Sequence, residues 1–359
     1  MMKKNSLIVA FLSLLCATGL FAQNRYELNS DWKCRSIKEE KASGEDISSP
    51  SYTLSGWKNA VVPGTVLTTM LANKEIPDPF YGMNNEQIPD IYNIGRDYYT
   101  YWFVKNFKEE QPENGNQIWL KFRGINYSCR IYLNGKLVNK EPYEGMYLRK
   151  SFNITKLLSK TGDNRLAVIV FPPDPVGNPN GGQGGDGTIA RGVSHQYVAG
   201  WDWIRPIRDR NTGIWDKVYI EKTGSVNLSD PHIITQVPGK RTPEGKQSEA
   251  LIKVSTEVEN ASDNLVSGVV KFSVEGNVIS KEVTLEPNSK QTVSLPVYKM
   301  QNPRLWWPSG YGEQNLYKSE ISFEEKNKGI SDSESVQFGV REIQTQWNPI
   351  TSSREIHVN

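Results

Sequence analysis

Trp201-Asp202-Trp203 opens a run of sixteen residues, ending at Asp216, that holds three Trp, three Asp and three Arg. Flat aromatic rings beside fixed carboxylates suit a sugar, whose C–H faces stack and whose hydroxyls donate hydrogen bonds. In an extended strand Trp201 and Trp203 share one face while Asp202 takes the other. The residues alone leave the two indoles open between packing in a core and stacking on a ligand. Arg205, Arg208 and Arg210 stand among Asp209 and Asp216, which predicts ion pairs along an exposed loop, each worth about 0–1 kcal/mol. Trp215, after Gly213-Ile214, is expected to pack inside the fold. Upstream, Gly181-Gly-Gln-Gly-Gly-Asp186 lacks the Lys-Ser/Thr and the strand–helix context of a phosphate-binding loop. A ligand-facing loop is the better reading, with Asp186 and Gln183 shaping the same site.

Other chemistries are poorly supplied. The three His (His195, His232, His357) are far apart and no Cys sits at ligand spacing, so a zinc site or a Ser-His-Asp triad has no support. No metal and no cofactor is expected. Lys3 and Lys4 precede an apolar run from Leu7 to Leu20 that is short for a bilayer span, and Ala22 offers a cleavage position. Residues 1–22 therefore read as a secretory signal, and the expected location is secreted or periplasmic. Leu15 before Cys16 is large where lipid attachment wants a small residue, which disfavours a lipoprotein. Without Lys3 and Lys4 the chain carries 40 basic against 40 acidic residues. Proteins that grip nucleic acid or anionic membranes need a basic excess, so neither partner is expected. Cys34 and Cys129 lie in strand-like segments and read as buried free thiols, with a single bridge left open.

These residues need a rigid frame, and the chain spells strands. Ile118, Leu120 and Phe122 alternate with polar neighbours as a half-buried strand does. Cys129, Ile131 and Leu133 lead into Asn134-Gly135 and then Lys136-Leu-Val138, a strong hairpin signal because both turn positions need φ > 0. Leu166, Val168 and Val170 form another alternating run after Gly162-Asp-Asn164. Pro172 to Gly187 is a long Pro/Gly/Asn-rich loop, and loops of that length usually carry function or disorder. Farther on, Ala250, Ile252, Val254, Thr256 and Val258 alternate, and Val269–Val274, Ser280–Leu285 and Gln291–Val297 follow between turns. The expectation is all-β: a jelly-roll sandwich, then an immunoglobulin-like one. Four Asn-x-Ser/Thr triplets (Asn126, Asn153, Asn227, Asn260) read as chance, because several fall in or beside strands.

Trp57, Val62-Pro-Gly-Thr65, Asp78-Pro-Phe-Tyr-Gly82, Tyr101-Trp-Phe103, Gly124-Ile-Asn-Tyr127, Tyr132-Leu-Asn-Gly135 and Gly145-Met-Tyr147 accompany the Trp201–Asp216 run in one order. Together they resemble the sugar-binding domain of glycoside hydrolase family 2, in its mannosylglycoprotein endo-β-mannosidase and exo-β-glucosaminidase branches. Leu305-Trp-Trp-Pro-Ser-Gly310 with Asn315-Leu-Tyr317 resembles that family's linking sandwich.

The resemblance implies a jelly-roll (galactose-binding-like) domain over 23–224 and an immunoglobulin-like domain over 225–341. Residues 342–359 would then be a truncated lead-in to a catalytic TIM barrel that the chain lacks, with Arg354–Val358 as the first strand of a severed hairpin. It also implies that Asp202 reaches from the rim into the sugar pocket, flanked by Trp201 and Trp203, with the barrel as intramolecular partner. Retaining hydrolysis needs two carboxyl groups about 5–5.5 Å apart, and in this family both come from the barrel. Asn85-Glu86 follows a first-domain motif and reads as an exposed loop carboxylate, so no catalytic residue is expected. The implied object is the N-terminal part of a retaining β-mannosidase or β-glucosaminidase, inactive alone. A stand-alone carbohydrate-binding module and a structural surface protein are the alternatives.

Overall fold

The computed structural model describes residues 25–177, 192, 194 and 207–359. The first unit is a sandwich of two antiparallel sheets. One sheet orders the strands Arg25–Glu27, Val218–Thr223, Gln117–Phe122 and Lys150–Asn153. The other orders Lys58–Asn59, Lys33–Ser36, Tyr101–Lys108, Asp163–Phe171, Ser128–Leu133 and Lys136–Leu137, with Tyr143–Glu144 paired beside Ser128–Leu133. Inward side chains from both, among them Phe103, Leu120, Ile131, Val168 and Ile220, fill one core.

Asn134-Gly135 forms the expected turn, with φ of 50° and 81°, and joins Leu133 to Lys136 across the hairpin. Asp163–Phe171 is buried on both faces from Leu166 to Val170. The reason is a second small core on the outside of its sheet, where Trp57, Trp102, Tyr132 and Ile169 pack under the short helix Gly44–Ile47. Gly44 fits there because a Cβ would stand 2.3 Å from the Tyr132 ring.

The alternation at 117–122 predicts a half-buried strand, and the structure departs from it. Ile118, Leu120 and Phe122 face the core, but Trp119 on the opposite face is also buried, its Nε1 donating to Thr223 Oγ1 at 3.0 Å. That face is turned toward the second sandwich.

The second unit pairs a sheet of Val226–Gln236, Glu249–Asn260 and Ser289–Ser294, with Tyr298–Gln301 beside Glu249–Asn260, against a sheet of Asn277–Leu285, Val266–Val274, Tyr317–Glu325 and Gly329–Phe338. Glu249–Asn260 alternates as its sequence predicts, with Ala250, Ile252, Val254 and Val258 in the core. Leu305 and Trp307 seal the same core.

Arg354–Val358 falls within the strand Ser353–Val358, but it is the return strand of a completed hairpin. It pairs with Ile343–Asn348 in register from Ile343↔Val358 to Asn348↔Ser353. Asn359 is held at the base of this hairpin. Its backbone N–H donates to Glu342 O at 2.9 Å, its Oδ1 accepts from Glu342 N at 2.9 Å, and its Nδ2 donates to Trp306 O at 2.8 Å. Strand and turn dominate the described residues, the longest helix among them being Val66–Ala72, and they form no (β/α) barrel.

Cys34 and Cys129 are buried and unbonded to each other. Asn126, Asn227 and Asn260 of the glycosylation-type triplets are buried side chains that a glycan could not reach.

Candidate functional site

One rim of the jelly roll gathers the motifs singled out in the sequence. Trp215 is half-buried, its indole lying on Gly124 so closely that a Cβ there would stand 2.5 Å away. Its Nε1 donates to Met146 O at 3.0 Å, and Tyr147 meets it edge-on with ring centroids 6.1 Å apart. Tyr147 is 54% exposed. Trp215 is thus a rim residue that leaves an aromatic edge accessible, rather than the fully packed core residue that its spacing predicts. Asp216 beside it accepts from Arg123 Nε at 3.1 Å.

The next layer fixes this rim. Asn126 is fully buried, and its Nδ2 donates to the carbonyls of Arg210 at 2.6 Å and Asn211 at 2.9 Å. Asn126 and Gly213 exchange backbone hydrogen bonds at 2.9 and 2.8 Å. On its other side Gly213 abuts Gly64 and Thr65: at φ +152° a Cβ would stand 2.6 Å from Gly64 O. Gly64 N–H donates to Ile214 O, and Val66 N–H to Thr212 O. Thr65 caps the Val66–Ala72 helix in a capping box with Thr68, so the segment Val62-Pro-Gly-Thr65 and the segment Thr212-Gly-Ile214 are laced together.

The arginines depart furthest from expectation. Arg210 is fully buried, and its guanidinium meets the Asp90 carboxylate in two parallel hydrogen bonds of 3.0 Å. Arg208 adds a third contact to Asp90 at 3.3 Å and reaches Asn85 O at 3.0 Å and Glu86 at 3.6 Å. These are charge-assisted contacts in a dry setting, not surface pairs. Arg210 also donates to Val176 O at 3.2 Å, Gly177 O at 3.5 Å and Ile207 O at 2.8 Å. One guanidinium therefore holds the chain on both sides of residues 178–206. Tyr99 steadies the acid: its hydroxyl donates to Pro89 O at 2.6 Å, next to Asp90.

Asp209 turns the other way. Its carboxylate accepts the backbone N–H groups of Leu67 and Asn211, each at 2.8 Å, while burial pushes its pKa up to about 6 against those stabilising bonds. The buried acids Asp90 and Asp209 are thus engaged by structure. Glu86 is an exposed carboxylate on a short helical turn, as the sequence predicts.

Asp186, Trp201, Asp202 and Trp203 lie outside the described residues, as do Gln183 and Arg205. The clasp that Asp90, Arg208 and Arg210 form around their flanks went unread in the sequence, as did the Trp215–Tyr147 pair. Among the described residues no group of His, Cys, Asp or Glu is arranged to hold a metal.

Comparison with known proteins then places this geometry. Residues 32–216, more than half of the chain, match the glycosyl hydrolase 2 galactose-binding domain-like family, and residues 237–341 match glycosyl hydrolases family 2. A mannosylglycoprotein endo-β-mannosidase of Lilium longiflorum is 42% identical over 348 residues, which cover 92% of this chain and 36% of that protein. An exo-β-D-glucosaminidase of Streptomyces avermitilis is 28% identical, with 87% and 32% covered. Among solved structures, an exo-chitosanase of Amycolatopsis orientalis superposes with a TM-score of 0.76 at 24% identity, covering 93% of this chain and 36% of that one. A β-D-mannosidase of Dictyoglomus thermophilum gives a TM-score of 0.68 at 26% identity, covering 93% and 38%. The chain spans about a third of the length of the relatives it matches.

Proposed function

The chain belongs to glycosyl hydrolase family 2, and from that premise we propose that it serves the cleavage of β-mannosides or β-glucosaminides as a non-catalytic, sugar-facing wall. The observation that carries this reading is the buried Arg210–Asp90 clasp. It gathers Val176, Gly177 and Ile207 at one side chain, and Asn126 links the Arg210 backbone to Gly213, two residues before Trp215. The 178–206 stretch between these anchors holds Asp186, Trp201, Asp202 and Trp203. In this reading Asp202 accepts hydrogen bonds from sugar hydroxyls and the indoles offer stacking faces.

The two carboxyl groups that a retaining mechanism needs come from elsewhere. The acid and the nucleophile belong to a catalytic barrel of the kind the family carries, and the three most deeply buried acids among the described residues, Asp90, Asp209 and Asp332, are each held by backbone N–H groups or arginine. Support for the substrate class comes from the relatives, whose names are mannosidases and glucosaminidases.

Aryl β-mannoside and aryl β-glucosaminide given to this chain alone should be hydrolysed at background rates, and robust turnover would overturn the non-catalytic assignment. Calorimetric titration with mannosyl and chitosan oligosaccharides separates this reading from a stand-alone binding module. Millimolar or weaker affinity supports a wall completed by a second domain, whereas micromolar affinity supports the module.

A further inference from the structure

Three large side chains stand on a turn where no core needs them. Phe80, Tyr81 and Met83 are 94%, 77% and 71% exposed. The backbone beneath them is nevertheless tightly built. Phe80 N–H donates to Asp78 Oδ1 at 2.9 Å, Tyr81 N–H to Asp78 O at 3.2 Å, and Asn84 Nδ2 to that same carbonyl at 3.0 Å. Asn84 N–H returns to Tyr81 O at 3.2 Å. Gly82 takes φ +54°, and a Cβ on it would meet no atom within 4 Å, so open space lies beside Tyr81. Rings carried on a backbone already fixed in this way lose little freedom when a ligand arrives.

The turn is continuous with the anchor of the 178–206 stretch. Asn85 follows directly, and its carbonyl accepts Arg208 Nε at 3.0 Å. Ile91 N–H donates to Arg208 O at 3.1 Å, and Asp90 binds both Arg208 and Arg210. Arg96 reaches the incoming stem, donating to Pro172 O at 2.6 Å and to Asp174 at 3.0 Å. Residues 85–96 thus hold both stems, and the aromatic turn precedes them without a break.

Polar groups are interleaved with the rings. Asp78 is exposed; its Oδ1 is engaged by the Phe80 N–H, while its Oδ2 has no partner among the described residues. The amides of Asn84 and Asn85 close the turn, both half-buried. The centre of a protein interface is depleted of charge, so a free carboxylate among the rings argues against a protein partner. A pyranose is apolar on its faces and polar round its edge, which suits rings standing beside a carboxylate.

We propose that the turn 78–84 is an outlying sugar subsite: a β-linked pyranose, mannose or glucosamine, stacks on Phe80 or Tyr81 while Asp78 Oδ2 accepts its hydroxyl or amine hydrogens. The subsite rests on the sugar-facing reading of the chain, and it adds a contact outside residues 178–206.

Ligand-observed NMR titration of the full chain with the β-linked mannose trimer and with the chitosan trimer tests it, the trimer that binds identifying the sugar. At least one should bind in the millimolar range or tighter. Phe80→Ala with Tyr81→Ala should weaken that binding about fivefold to tenfold. Asp78→Asn keeps an oxygen for the Phe80 N–H and should weaken it about threefold or more. All these variants should melt within about 2 °C of the unaltered chain, because no packed side chain is removed. Binding unchanged by the double variant would overturn the subsite and leave the sugar-facing wall in place. Failure of both trimers to bind the unaltered chain would overturn it as well, whereas the wall itself is judged by hydrolysis and calorimetry. A double variant that lowers self-association in sedimentation but not sugar binding would make the turn a protein contact instead.

Discussion

At the scale of single residues, the rim depends on a buried charge that must not be left alone. Arg210→Met removes both donors of the parallel bonds to Asp90 and leaves a carboxylate that is 4% exposed with the longer contact to Arg208 at 3.3 Å. Breaking one side of such a pair costs about 3–5 kcal/mol, so urea unfolding should show a loss of that order. The double variant Asp90→Leu with Arg210→Met should lose clearly less than the two single losses added, because no lone charge remains. Asp209 makes a second prediction. With its pKa raised to about 6 by burial, its ionisation opposes folding, so its share of stability falls as pH rises from about 4 to about 6. Asp209→Asn should flatten that part of the stability profile.

None of this charge pairing could be read locally. Asp90 and Arg210 are 120 residues apart, and a run of alternating Arg and Asp looks like a solvated loop until the fold brings a distant acid beneath it.

At the scale of elements, short-range signals were legible where one face meets one core. The alternation at Glu249–Asn260 and the Asn134-Gly135 turn follow directly from side-chain period and backbone sterics. Strands misread from the sequence are those covered twice. Trp119 is buried because a second sandwich lies over its sheet, and Leu166–Val170 because a helix covers the far side. Ser353–Val358 was legible as a strand, but its partner Ile343–Asn348 was not, since Ile343 and Trp347 leave much of their surface exposed and give no core pattern.

Two glycines set the spacing of the rim elements. Gly124→Ala should push Trp215 off its seat, and Gly213→Ala should separate the Thr212–Ile214 segment from Gly64. Overpacking of this kind costs about 1–3 kcal/mol. The first should also red-shift tryptophan emission at full folding, whereas the second should act mainly on the melting temperature.

At the scale of the whole molecule, large apolar side chains stand exposed in two groups. Phe80, Tyr81 and Met83 are 94%, 77% and 71% exposed on one loop, and Ile350 and Ile356 are 92% and 73% exposed on the terminal hairpin. A net charge of only +2 supplies little repulsion between copies. Sedimentation at rising concentration should show self-association, and Trp347→Lys with Ile356→Lys should reduce it without lowering the unfolding free energy by more than about 1 kcal/mol.

The clasp at Arg210 carries a consequence for descent as well as for binding. Because Val176, Gly177 and Ile207 are gathered by a single side chain, the two stems of the intervening stretch leave the frame side by side. Lengthening a loop with anchored stems adds only about 0.6 kcal/mol per doubling. On the proposed sugar-facing reading, the sequence between those stems can be changed by insertion, deletion or wholesale exchange while the sandwich that bears them stays as it is. Swapping that cassette between a mannosidase and a glucosaminidase scaffold is the engineering experiment such an architecture invites.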